Sequence, residues 1–260
     1  MPDRKSVIVT GSTSGIGRAI AWEMARAGHN VMLNGLGDQS EVEALRQEMQ
    51  DKTGVSVAYC SADMSNPHQI ETLADVTRRA FGQIDVVVNN AGIQTVSPIE
   101  DFPVERYDQI IAVDMSSAWH LIRLTMAEMK ARQWGRYINI ASAHGLVASP
   151  FKSAYVMAKH AVIGLTKTVA LEGAEHGITA NAICPGYVLT PLVEKQIPET
   201  ARARQMTEEQ VVRDVLLAAQ PTKQFVEASH IGMLAVFLCS DSAAQITGTA
   251  IPVDGGWTAH

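Results

Sequence analysis

The sequence predicts a single α/β domain, a mostly parallel and doubly wound sheet with helices on both faces. Three observations carry this. Short apolar runs alternate with stretches of helical periodicity along most of the chain. The first apolar run ends in a glycine-rich turn that opens directly into a helical pattern. Finally, 260 residues with 47% hydrophobic content suit one large α/β core, with no linker and no internal repeat. Strands alternating with helices imply right-handed crossovers, hence parallel strands covered on both sides.

Taken in order, Ser6 to Thr10 is the first strand and stops at Gly11. Gly11, Gly15 and Gly17 punctuate the turn, and the helix from Arg18 to Ala27 closes at Gly28. Strand, glycine turn and helix together suit a pyrophosphate: glycines let the backbone approach, and a helix N-terminus offers free N–H groups. The spacing Gly-x3-Gly-x-Gly matches the usual dinucleotide fingerprint only loosely, and such a turn also serves as a plain βα connection. Asn30 to Asn34 is the second strand, and Asp38 follows it. An acid there commonly takes ribose hydroxyls, whereas an arginine accommodates a 2′-phosphate. No Lys or Arg occupies Gly11 to Gly17 or Asn34 to Ser40, which favours NAD over NADP, although Asp38 could simply cap a helix from Glu41.

Val55 to Cys60 is the third strand, ending near Asp63. Asn66 as cap and Pro67 as first helical residue begin a helix to Phe81 that Gly82 stops. Ile84 to Val88 is the fourth strand, leading into Asn89-Asn90-Ala91-Gly92. A long helical stretch from Val104 to Arg132 precedes the fifth strand, Tyr137 to Ala141. The helix from Ala154 to Leu171, a sixth strand from Ile178 to Cys184 broken by Pro185-Gly186, and a short strand from Thr249 to Val253 complete the rhythm. Pro191 to Phe225 interrupts it. This polar stretch, helical from Glu208 to Leu217, follows the sixth strand at the edge where ligands bind, and reads as a lid.

The chemistry concentrates between Arg136 and His160. Ser142 stands at a strand end, while Tyr155 and Lys159 lie four apart on one helix face. A phenol titrates near 10, so serving as a base near neutrality takes about 4 kcal/mol of help. A unit positive charge at about 4 Å supplies that order of energy at an effective dielectric of ~20. Ser142 would hold the substrate oxygen. A Tyr-x3-Lys pair alone is weak, since a core tyrosine beside a solvated lysine has the same spacing.

Composition narrows the classes. A net charge of −6 argues against a nucleic-acid partner. No run approaches the ~18 apolar residues of a membrane span, and the polar first residues do not read as a signal peptide. Cys60, Cys184 and Cys239 are odd in number, far apart and without metal-ligand spacing, which predicts no metal and a reducing, cytoplasmic setting.

The glycine turn, the Asn89-Asn90-Ala91-Gly92 block, Ser142, Tyr155-x3-Lys159 and Pro185-Gly186 occur in one chain and in this order. Together they resemble the short-chain dehydrogenase/reductase family over essentially the whole chain. The resemblance implies a Rossmann-type fold, a nicotinamide cofactor, hydride transfer with Tyr155 as acid/base, Lys159 on the nicotinamide ribose, and a homotetramer. It also implies that the cofactor lies along Gly11, Thr13, Ser14, Gly15, Ile16, Gly17, Leu36, Asp63, Asn90, Ala91, Gly92, Val113, Pro185, Gly186, Val188 and Thr190. One residue departs. Where the family usually carries an asparagine in a catalytic tetrad, this chain has Asp114. A main-chain carbonyl holding a relay water would tolerate the change; a required side-chain amide donor would not.

A narrower resemblance is to the D-3-hydroxybutyrate dehydrogenase branch of the family. It rests on Gly92-Ile93-Gln94, the stretch Ile140 to Ser149, Lys152 to Tyr155, Thr190 to Gln196, and Val253 to Trp257. It implies that Gln94, His144, Lys152 and Gln196 hold a substrate carboxylate, with Tyr187 and Trp257 near the methyl end. Tyr187 stands where tryptophan is more usual, and Thr95 where histidine is. A buried carboxylate needs a cation and several donors, which that set supplies. A 3-oxoacyl thioester reductase, another alcohol dehydrogenase, or a silent nucleotide-binding scaffold remain the alternatives.

Overall fold

Val7, Ile8 and Val9 are fully buried because strand β1 (Ser6–Val9) runs through the middle of the sheet. In the computed structural model, which describes residues 4–259, β1 is flanked in parallel by β2 (Asn30–Asn34) and β4 (Val86–Asn89). Outside these lie β3 (Val57–Cys60), β5 (Gly135–Ile140), β6 (Ile178–Pro185) and β7 (Ala250–Val253), in the order β3-β2-β1-β4-β5-β6-β7. Every pairing is parallel, a stronger result than the mostly parallel sheet expected.

The period-2 alternation of each strand feeds two separate cores. Val7, Val9, Leu33, Val86 and Val88 face one side, against Ile20 and Met24 of α1 (Gly15–Arg26) and Ile231, Ala235 and Leu238 of α9 (Ala228–Cys239). Ile8, Met32, Val87 and Tyr137 face the other. They meet α3 (Pro67–Phe81), α5 (Ser117–Arg132) and α6 (Ser153–Gly173) through Ile70, Leu73, Leu121 and Val169. Each such buried aliphatic side chain contributes roughly 1.5–3 kcal/mol.

Several elements match their local signals. Asn66 caps α3 by accepting from the His68 and Gln69 N–H groups, with Pro67 at the first turn. Asp38 caps α2 (Gln39–Thr53) by accepting from the Ser40 and Glu41 N–H groups. The long helical stretch is α4 (Val104–Ile111) continuing into α5, but its joint, Ala112–Ser116, is a π-helical turn. Two helices were not anticipated. α9 is apolar almost all round, which hides helical periodicity, and α7 (Pro191–Arg204) contains Pro198. After α7 come α8 (Glu208–Gln210) and a π-helical turn, Val211–Leu216. Among the described residues no helix is long and apolar enough to cross a membrane.

The sheet order reverses direction between β1 and β4, so their carboxyl ends border the crevice where open α/β sheets bind ligands. Gly11, Asn90, Ser142 and Gly186 follow directly on β1, β4, β5 and β6, with at most one residue between.

Candidate active site

At the end of β1, the glycine turn is fixed by two asparagines. Asn90 donates its side-chain amide to the Thr10 and Gly11 carbonyls at 2.9 and 3.2 Å. The Thr10 hydroxyl accepts from the Asn90 and Ala91 N–H groups, both at 2.9 Å. From β2, Asn34 accepts from the Gly11 N–H at 3.2 Å and donates to the Cys60 and Ala62 carbonyls. Gly17 must be glycine, since a Cβ there would fall 2.3 Å from the Gly11 oxygen. Ser14 makes no side-chain cap and the first turn of α1 holds no acid, so its leading N–H groups remain open to an anion. A Cβ at Gly15 would meet only Thr190 Cγ2, at 3.9 Å, which leaves the room a pyrophosphate needs. The residues present therefore fit a dinucleotide.

Around this crevice, Leu36 is 72% exposed, and Asp63 accepts from the Ser65 N–H and hydroxyl at 2.8 Å each. Val188 is buried and bridges to Val226, while Thr190 accepts from the Val193 N–H. Pro185 ends β6, and Gly186 packs against Gln220 and the Asp254 backbone. Val113 sits in the π-helical turn and Ile16 packs on the core from the first turn of α1.

Lys159, on α6, is 4% exposed. Its ammonium donates to the Ile140 carbonyl at 3.1 Å, lies 5.5 Å from the Tyr155 ring centre and faces Asp114 Oδ2 at 3.4 Å. Burial alone would lower the Lys159 pKa, but the electrostatic pull of Asp114 foremost raises it, so the ammonium is retained. Burial raises the Asp114 carboxyl while Lys159 pulls it back. Asp114 Oδ1 accepts from the Ile93 N–H at 2.8 Å. Ser142 follows β5 and accepts from the His144 N–H at 3.1 Å.

A second group of side chains continues from this one. The His144 ring lies 6.1 Å from Tyr155 and meets Trp257 edge-on at 4.9 Å. Trp257 stacks on Tyr187 at 5.6 Å, and the Lys152 ammonium stands 5.8 Å from the Tyr187 ring centre. Burial, reinforced by Lys152 and His160, drops the His144 pKa to about 4, so His144 is neutral near pH 7. Its Nε2 shares a hydrogen bond with the Ser149 hydroxyl at 2.7 Å. Burial also lowers Lys152 and raises Tyr187. The arrangement can hold a small anion beside a phenol that exchanges a proton.

Comparisons with known proteins agree with this geometry. Residues 11–258 match a short-chain dehydrogenase family model described as enoyl-(acyl carrier protein) reductase. The chain belongs to the short-chain dehydrogenase/reductase family. It is 56% identical over 256 residues, 98% of this chain and 99% of the relative, to the D-beta-hydroxybutyrate dehydrogenase of Rhizobium meliloti. It is 50% identical over 260 residues, all of both chains, to the D-beta-hydroxybutyrate dehydrogenase of Cupriavidus necator. Among solved structures it resembles the L-sorbose reductase of Gluconobacter frateurii complexed with NADPH and L-sorbose. That likeness has a TM-score of 0.93 at 29% identity and covers 99% and 98% of the two chains.

In this short-chain dehydrogenase/reductase, contacts link Ser142, His144, Lys152, Tyr155, Lys159, Asp114, Tyr187 and Trp257 into one continuous site. Gln94 is exposed on the loop after β4. Gln196 falls on α7, but its side chain lies outside the described residues. Sequence reading missed Asn34, 1% exposed, whose hydrogen bonds reach across β1, β2 and β3. A polar residue ending an apolar strand was its one local signal.

Proposed function

We propose that this oxidoreductase is NAD-dependent and interconverts D-3-hydroxybutyrate and acetoacetate. The observation that carries the proposal is the half-buried Lys152 ammonium beside Tyr187, in the same cluster as neutral His144 and Tyr155. A desolvated cation with donors around it selects a carboxylate, and its neighbourhood to the phenol suits an acid whose hydroxyl is close by. Two relatives at 56% and 50% identity bear the corresponding name.

The turn from Gly11 to Gly17 would hold the dinucleotide, and a bound nicotinamide would supply the hydride acceptor for the alcohol carbon. Tyr155 takes the hydroxyl proton, the Lys159 ammonium stabilises the phenolate, and Ser142 holds the substrate oxygen. Lys152, His144, Gln94 and Gln196 bind the carboxylate, with Tyr187 and Trp257 against the methyl end. The lid formed by Pro191–Arg204 and the turns after it excludes water, a role supported by its origin just beyond β6.

The choice of NAD rests on the absence of Lys or Arg from Asn34 to Ser40 and on Asp38, whose carboxylate would repel a 2′-phosphate. The chain acts in the cytoplasm as a homotetramer. The exposed side chains of Val104, Tyr107, Trp119, Met157 and Leu171 support burial of that face against further copies. A second reading, a 3-oxoacyl thioester reductase, is favoured by 33% identity to the 3-oxoacyl-[acyl-carrier-protein] reductase FabG of Staphylococcus epidermidis.

Following reduced-cofactor absorbance across a panel of 3-hydroxy acids with NAD and NADP tests the proposal. The expected result is D-3-hydroxybutyrate with NAD as the best pair by at least tenfold. Equal efficiency with both cofactors, or preference for a thioester, would overturn it.

A further inference from the structure

Asp114 stands where the family resemblance leads one to expect asparagine, and its surroundings favour the acid. The side chain is fully buried. Oδ1 accepts from the Ile93 N–H at 2.8 Å, and Oδ2 faces the Lys159 ammonium at 3.4 Å. Oδ1 is thus hydrogen-bonded, whereas Oδ2 makes no hydrogen bond and is held only at ion-pair distance from the ammonium. An asparagine would turn its NH2 toward one or the other, placing donor against donor in either orientation. Gly92 shows how closely the pair is packed, because a Cβ there would lie 2.9 Å from Oδ2 and 3.3 Å from the Lys159 nitrogen. The π-helical turn Ala112–Ser116 carries Asp114, and such turns often mark functional positions within helices.

Among the described residues, four groups face Lys159. Asp114 comes from the π-helical turn, Tyr155 from its own helix, the Ile140 carbonyl from β5 and Cys184 from β6. Burial pushes the Cys184 thiol up to about 11, so it stays neutral. In that set the Asp114 carboxyl is the group at ion-pair distance from the ammonium.

We propose that Asp114 is a positioning residue that acts through its side-chain carboxylate, seating a charged Lys159 beside Tyr155 and tying down the Gly92–Ile93 turn. This differs from a role for its main-chain carbonyl alone, and it rests on the reading of Tyr155 as the acid/base group.

The test pairs a direct titration with a rate profile. Protein labelled at lysine Cε is titrated by carbon NMR, with the Lys159 signal assigned by its loss in Lys159→Met. In Asp114→Asn, Lys159 should lose its proton at least one pH unit lower than in the native protein. The rate at pH 10 relative to pH 7 should fall about twofold or more below the native ratio, with NAD affinity within about threefold. An unshifted titration and an unchanged profile shape overturn the proposal, whatever the height of the profile. So does a gain of several hundredfold in activity. If Asp114→Asn does not fold, Gly92→Ala, on an exposed turn, should part the pair and produce the same shift; no shift there overturns the proposal too. If the native protein oxidises no alcohol, the functional reading fails, and the lysine titration still decides the role of Asp114.

Discussion

Tyr187 and Trp257 stack with ring centres 5.6 Å apart and planes only 3° from parallel, although one follows β6 and the other lies in the C-terminal tail. The stack places the tail against His144, which meets the same indole at 4.9 Å. Aromatic pairs of this kind contribute about 0.5–1.5 kcal/mol beyond the area they bury. Trp257→Ala should raise KM for a small 3-hydroxy acid by roughly two- to tenfold while leaving NAD affinity unchanged. Steady-state kinetics with each substrate varied in turn will check this. A fall in kcat at constant KM would mean the tail serves the chemical step instead.

Tyr155 offers the sharpest test of the acid/base assignment. Tyr155→Phe removes only a hydroxyl from a half-buried ring. Folding and NAD binding should persist while turnover falls by at least ~10², the scale of general acid–base catalysis. Turnover within threefold of native would exclude the phenol from the proton transfer.

His144 should leave a mark on stability. Its folded pKa of about 4 lies below its ordinary 6.5, with burial as the largest cause. Because the folded value is depressed, the associated stability is fully present above pH 6.5 and is lost as pH falls toward 4. The loss should reach on the order of 2–3 kcal/mol at full effect. Denaturant titrations at pH 7 and pH 4.5 should show a smaller acid loss in His144→Gln than in the native protein. Identical pH dependence in the two would show that His144 titrates normally.

What could be read from the sequence was local. Asn66-Pro67 announced α3 because cap and first turn are adjacent residues, and Asp38 announced α2 for the same reason. Tyr155 and Lys159 were legible as a pair because one helix holds both. Asp114 was visible as a departure from the family pattern, but its partners were not, since Ile93 and Lys159 reach it from a distant loop and another helix. Asn34 escaped notice because its hydrogen bonds join three strands. α9 lacked periodicity because apolar residues cover nearly its whole surface.

Substrate identity turns on Lys152. Its ammonium is half-buried, 5.8 Å from the Tyr187 ring centre, and burial already lowers its pKa. Among the described residues no carboxylate pairs with it, and such a cation is poised for an anion. Removing one partner of a buried charge pair costs on the order of 3–5 kcal/mol, or roughly 10²–10³ in an equilibrium constant. Lys152→Ala should therefore cripple use of D-3-hydroxybutyrate mainly through KM, with NAD affinity intact. The methyl ester should be a poor substrate of the native protein and far less sensitive to the substitution, because it carries no charge to lose a partner. The L-enantiomer should fail with both proteins, since fixing its carboxylate and methyl directs the hydroxyl away from Tyr155. Should the ester turn over as well as the acid, carboxylate recognition is wrong and the thioester reductase reading takes its place.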